Sequence, residues 1–239
     1  MRRDAGQHRD PVLLLVGADA SLCKVLKTTL TDSRFLVEEA QSADEALALI
    51  HECRFDLVVL STDLPEMSGL EVCRQVRRHA PELGIVMVTE RDSESEMVQA
   101  LEAGADDYVT MRFRFRELTA RVRAVLRRTQ AGNAADLHVL RAGDLEVDLD
   151  RRLLRRAGKI VHLTPTEFAL LVLLMKNQGV LLTHSKLLQT IWGQEYGEEL
   201  EYLRTYMRML RKKIEDDPAK PRYLFTQPGV GYRFCDPSN

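Results

Sequence analysis

The 239-residue chain has no apolar run approaching the ~18 residues a membrane-spanning helix needs. Its opening MRRDAGQHRDP carries two arginines with no signal-peptide core behind them. Membrane and secretory classes are thereby set aside, and a cytoplasmic protein is expected. Cysteine is scarce: Cys23, Cys53, Cys73 and Cys235 follow no C-x-x-C spacing, and neither His162 nor His184 has a partner at metal-ligand spacing. This excludes a zinc framework and a disulfide scaffold, so reduced thiols and no metal or cofactor are expected. Aromatics make up 6% of the chain, with a single tryptophan, and Trp192 and Phe168 sit within apolar helical patterns as core residues. Strong charge of one sign is missing too: the net charge is −2, divided as −4 over residues 1–135 and +2 over 136–239. Averages this small say nothing of nucleic acid, and local clusters must carry that argument.

What is present divides the chain in two. Over the first 130 residues, short apolar runs at 12 to 16, 35 to 40, 56 to 60, 84 to 89 and 106 to 110 alternate with amphipathic stretches at about 21 to 31, 42 to 51, 68 to 79, 94 to 103 and 115 to 129. The second stretch opens with Ser42 three residues before Glu45, the spacing of a capping box. Five strands interleaved with five helices predict a doubly wound parallel sheet that binds ligands at the carboxyl ends of its strands. This domain is placed at residues 10–130 and a polar linker at 131–136. Within 137–236, extended segments at 137 to 140, 144 to 149, 153 to 156 and 159 to 163 predict a small antiparallel sheet. Helices follow at 165 to 177, 184 to 192 and 199 to 215, the first behind a capping Thr164 with Pro165 at its first position. A hairpin around Pro228-Gly229 closes a winged helix.

In the third of these helices Leu203, Met207, Leu210 and Ile214 repeat on one buried stripe, whereas Arg204, Arg208 and Arg211 fall on another face. Lys212 and Lys213 bring the run at 204–213 to five cations without an acid. Such a row can lie in a major groove, its guanidinium groups bonding guanine edges or phosphates. A solvated basic face is the alternative, and the hairpin that follows weighs against it.

The segments LTPTEFALL, LLTHSKLLQTIWG, YLRTYMRMLRKKIEDDP and GVGYRF make the second half resemble the effector domain of the OmpR/PhoB family of response regulators, in its KdpE-like branch. The resemblance implies a double-stranded DNA partner. It places Arg204, Thr205, Arg208 and Arg211 on the recognition helix, with Lys212 beside them, and Thr226, Tyr232 and Arg233 at the wing. Where some relatives carry a wing-tip arginine, this chain has Pro228.

Through LPEMSG and EAGADDY the first half resembles a CheY-like receiver. The family transfers phosphoryl to an aspartate beside a metal held by an acidic pair. At those positions stand Ser61, the candidate degenerate acceptor, and Gly17 and Ala18; Met111 replaces the lysine, and only the hydroxyl of Thr89 is retained. A neutral serine without a neighbouring base is a poor acceptor. Asp106, Asp107, Glu117 and Arg121 match the family's dimer face, although Met97 stands where a cation is frequent. The expected function is a non-enzymatic, DNA-binding transcription regulator, homodimeric through its receiver, acting without aspartyl phosphorylation and with RNA polymerase as a further partner. Two alternatives stay open: an unusual phosphoacceptor such as Ser61, Asp63 or Asp19 served by a sensor kinase, and a pseudo-receiver sensing a ligand or partner protein.

Overall fold

The structure, a computed structural model, describes residues 10–91, 93–110, 115–130, 139–194, 196 and 199–237, with the side chains of 115, 116 and 130 left aside. The linker expected at 131–136 and the positions of Met111 and Arg112 lie outside the described residues.

In the N-terminal half, strands β1 (Val12–Val16), β2 (Leu36–Ala40), β3 (Leu57–Ser61), β4 (Gly84–Thr89) and β5 (Asp107–Thr110) form one parallel sheet in the order β2-β1-β3-β4-β5. The period of two in each strand sends alternate side chains to opposite faces. Leu14, Val16, Val58, Leu60, Ile85 and Met87 join one buried cluster. Leu13, Leu15, Leu57, Val59, Val86 and Val88 join the other. Helices α1 (Ala20–Asp32) and α5 (Phe115–Gln130) supply residues to the second cluster. Helices α2 (Ala43–Glu52), α3 (Gly69–His79) and α4 (Glu94–Ala103) supply the first. Ser42 Oγ accepts from Glu45 N, as its spacing predicts, but the Glu45 carboxylate accepts from Gln41 N rather than from the cap, so only half of the expected box forms.

The C-terminal half begins with a meander of β6 (Val139–Ala142), β7 (Leu145–Asp148), β8 (Leu153–Arg156) and β9 (Lys159–Val161). Next come α6 (Pro165–Lys176), β10 (Leu181–Thr183), α7 (His184–Ile191), α8 (Leu200–Ile214) and the hairpin of β11 (Leu224–Gln227) with β12 (Gly231–Phe234). Thr164 and Glu167 form a complete capping box on α6. The hairpin gains β10 as a third strand in the order β10-β12-β11. This requires glycine at 231, where a Cβ would stand 1.9 Å from the Leu182 carbonyl oxygen. The result is a five-stranded receiver followed by a winged helix, as the alternation of patterns predicts. Among the described residues, no helix is long and apolar enough to cross a membrane.

Candidate DNA-binding face and the receiver surface packed on it

Helix α8 is buried along two stripes. The predicted one, Leu203, Met207, Leu210 and Ile214, fills the core of the winged helix. The second, Tyr202, Thr205, Tyr206 and Met209, is buried as well, and α8 packs on α4. The expected cations occupy the remaining surface with distinct partners. Arg204 is exposed and pairs with Glu201 one turn earlier. Arg208 is exposed and reaches across to Glu102 on α4 at 3.0 Å. Arg211 donates from Nη2 to the Leu224 carbonyl at 2.6 Å and to Thr226 Oγ1 at 2.7 Å, tying α8 to the wing. Lys212 is exposed, whereas Lys213 is anchored to the fully buried Glu167 at 2.5 Å. In the wing, Thr226 and Arg233 are exposed, and Tyr232 is buried edge-on against His184 with 5.6 Å between ring centroids. The structure thus groups Arg204, Arg208, Arg211 and Lys212 along one helix, and it puts Thr205, only 2% exposed, on the side that faces the receiver.

That receiver surface is where the dimer residues were expected. Asp106 and Asp107 have 0% exposure, which for carboxylates requires a full set of donors. Asp106 receives Arg77 Nη2 at 2.9 Å, Ile85 N at 3.1 Å, and from the winged helix Thr166 N at 3.0 Å and Thr166 Oγ1 at 2.9 Å. Asp107 receives Arg121 Nη1 at 3.0 Å, Tyr108 N at 2.8 Å and the Tyr196 hydroxyl at 2.8 Å. Glu117 joins through its ion pair with Arg121 at 2.5 Å. The Tyr202 hydroxyl donates to the Tyr108 carbonyl at 2.6 Å and that of Tyr206 to the Ala105 carbonyl at 2.9 Å. Arg128 bridges the domains through the carbonyls of Ile191 at 2.8 Å and Asp106 at 3.2 Å. Burial, above all, pushes the Asp107 carboxyl up, against the pull of Arg121 and Arg128. Burial likewise lifts the Tyr202 hydroxyl well above the ordinary phenol range, with Asp107 adding to it. Asp106, Asp107 and Arg121 therefore meet the winged helix within one chain, and Glu117 joins them through Arg121.

Sequence reasoning missed the other half of this contact, Thr166, Tyr196, Tyr202 and Tyr206, and it left Arg128 on the receiver's last helix between a solvated face and a pairing surface. One signal was available. Tyr202, Tyr206 and Met209 repeat at helical spacing, a second stripe beside the one that fills the core of the winged helix.

At the opposite end of the receiver, Gly17, Ala18, Ser61 and Thr89 line a single cavity of about 140 Å³ at the carboxyl ends of the strands. Ser61 Oγ donates to the Asp63 carbonyl and accepts from Asp63 N, both at 3.3 Å. Asp19 accepts from Leu22 N at 2.9 Å as the cap of α1. Thr89 Oγ1 accepts from Arg91 N at 3.2 Å. Cys23 Sγ donates to the Gly17 carbonyl at 3.4 Å, and burial, with Glu39 and Asp19 adding to it, raises this thiol above its ordinary value.

Comparison with known proteins gives the same two-part division. Residues 13–123 match the family described as the response regulator receiver domain, and 158–234 that described as transcriptional regulatory protein, C terminal. The KDP operon transcriptional regulatory protein KdpE of Escherichia coli is 39% identical over 93% of this chain and 98% of its own. The chain belongs to the OmpR/PhoB family of response regulators. Another relative of this response regulator, MprA of Mycobacterium tuberculosis, is 41% identical over 92% of this chain and 95% of its own. The crystal structure of DrrB, an OmpR/PhoB homolog from Thermotoga maritima, shares 33% identity with a TM-score of 0.52, over 95% of this chain and all of that one. The chain is accordingly a two-component response-regulator transcription factor, of a family that binds DNA and commonly dimerises.

Proposed function

We propose that this response regulator controls transcription without aspartyl phosphorylation, and that its recognition helix rests against the receiver until the two domains part. The observation that carries the first half is the shared cavity. The positions where the resemblance puts an acidic pair and an acceptor are Gly17, Ala18 and Ser61, and all three line it. The family's chemistry uses a divalent cation held by oxygen ligands. Asp19 and Asp63 are the carboxylates left nearby, but Asp19 is engaged in capping α1. Among the described residues no three His, Cys, Asp or Glu side chains converge as a metal site. These residues do not fit a divalent cation.

The second half rests on α8. Arg204, Thr205, Arg208, Arg211 and Lys212 are its candidate DNA contacts, with Thr226, Tyr232 and Arg233 at the wing. DNA and α4 compete for Arg208, and Thr205 is buried while α8 is docked. A homodimer built on Asp106, Asp107, Glu117 and Arg121 needs groups that the docked winged helix already occupies, so docking and pairing exclude each other. The likeness to KdpE makes operons of that kind candidate targets, with cytoplasmic location and RNA polymerase contact following from the same reading.

The test is intact-mass measurement after incubation with acetyl phosphate and Mg2+, beside a receiver that accepts the donor. The expected result is an unchanged mass for this chain. A stoichiometric adduct at Ser61, Asp63 or Asp19 overturns phosphorylation independence.

A further inference from the structure

The cavity at the sheet's carboxyl edge has an apolar wall and an acidic rim. Its wall is made by Leu15, Leu22, Leu26, Val59 and Val88, with the Cys23 thiol among them. Its rim carries Asp19, Asp63 and Glu90, all exposed, together with the hydroxyls of Ser61 and Thr89. No lysine, arginine or histidine is among the described lining residues. The volume, about 140 Å³, is comparable to that of an engineered apolar cavity that admits benzene, roughly 150 Å³. Glycine at 17 keeps this space open. A Cβ there would lie 2.8 Å from Cys23 Sγ and 3.8 Å from the Ser61 Cβ, so an acidic side chain at this position would crowd the wall. The exchange of acids for Gly17 and Ala18 therefore reduces the charge of the pocket and enlarges its apolar part together.

We propose that this pocket is a ligand site for a small organic cation with an apolar body, an aromatic or alkyl amine of about six to nine non-hydrogen atoms. The apolar body lies against Leu15, Leu26, Val59 and Val88. The ammonium sits at the rim, its three N–H donors shared between the carboxylates of Asp19 and Asp63 and one of the hydroxyls of Ser61 and Thr89. Anions of the same shape are rejected, because three carboxylates repel them and no lysine, arginine or histidine among the described lining residues compensates. This inference rests on the reading that no phosphoryl group is installed at Ser61.

The experiment titrates the full chain with benzylamine, benzyl alcohol and benzoate at constant ionic strength and pH, following the thermal midpoint and amide NMR shifts. Benzylamine is expected to bind saturably with a Kd on the order of 1 mM and to raise the midpoint by about 3 °C at ten times that concentration. Benzyl alcohol should bind more weakly, and benzoate should leave the spectrum unchanged. In Asp19→Asn/Asp63→Asn, where asparagine still caps α1, the amine should lose its advantage over the alcohol. Ser61→Met, which plugs the mouth, should abolish the response. Equal responses to benzylamine and benzoate, no saturable shift, or an undiminished response in both variants would overturn the proposal. The acetyl phosphate experiment fails separately: an adduct there refutes phosphorylation independence whatever the amine does.

Discussion

Arginines 204, 208 and 211 look equivalent as a sequence row, but each answers to a different partner. Arg211 directs its guanidinium to the Leu224 carbonyl and Thr226 Oγ1, so Arg211→Ala removes three hydrogen bonds between α8 and β11. A loss of about 1–2 kcal/mol of stability is expected, measured by chemical denaturation, alongside weaker DNA binding. Among the described residues Arg208 makes an exposed ion pair with Glu102, whose contribution is about 0–1 kcal/mol. Arg208→Ala should leave the denaturation midpoint nearly unchanged, weaken DNA binding, and flatten the slope of log K against log salt by about one if the arginine neutralises a phosphate. Wild-type binding by both variants would mean that another surface holds the DNA. The cation row was legible because charge and helical period are local. The burial of Thr205 was not, because it depends on what packs against α8 and not on the period of the helix itself.

At the level of elements, the period of two in the apolar runs and the 3.6-residue period elsewhere placed the receiver strands and every helix of the winged helix to within a few residues. Strand β10 escaped because Leu181–Thr183 is three residues long and runs directly into α7, leaving no alternation to detect. Its existence depends on Gly231, a constraint invisible in the sequence because it arises from the Leu182 carbonyl approaching from another segment. Gly231→Ala should force β12 off β10. The expected outcome is a loss of about 2–3 kcal/mol or more and a changed near-UV circular dichroism as Tyr232 loses its fixed surroundings, compared with the wild-type chain. A variant of native stability would show that the wing sheet yields at no cost. The tyrosines of α8 belong to this scale too. Tyr202 and Tyr206 pack their rings on Trp192 within the winged helix, and their hydroxyls are satisfied by the receiver carbonyls of Tyr108 and Ala105.

For the whole molecule, the decisive groups are two aspartates with no exposure, each satisfied partly by the other domain. A buried carboxylate deprived of donors, or faced by a second carboxylate, costs several kcal/mol. Asp106 can be confronted in that way from the winged-helix side without touching a DNA contact. In Thr166→Glu the new acid lies in the first turn of α6, where the helix dipole favours it. It replaces the hydroxyl that donates to Asp106 at 2.9 Å, and only the docked arrangement suffers, because parting the domains returns both acids to water. The docked population should fall by about a hundredfold or more for a penalty near 3 kcal/mol. Apparent DNA affinity then rises at least about tenfold in fluorescence anisotropy, up to the limit set by the fraction of wild-type chain already open. Small-angle scattering should show a larger radius of gyration, and sedimentation a stronger tendency to pair, since Asp106, Asp107 and Arg121 are released together. Thr166→Ser keeps the hydroxyl and should match the wild type in all three measurements. If Thr166→Glu binds DNA no more tightly while its radius of gyration grows, the receiver does not restrain α8, and the docked arrangement has no part in regulation.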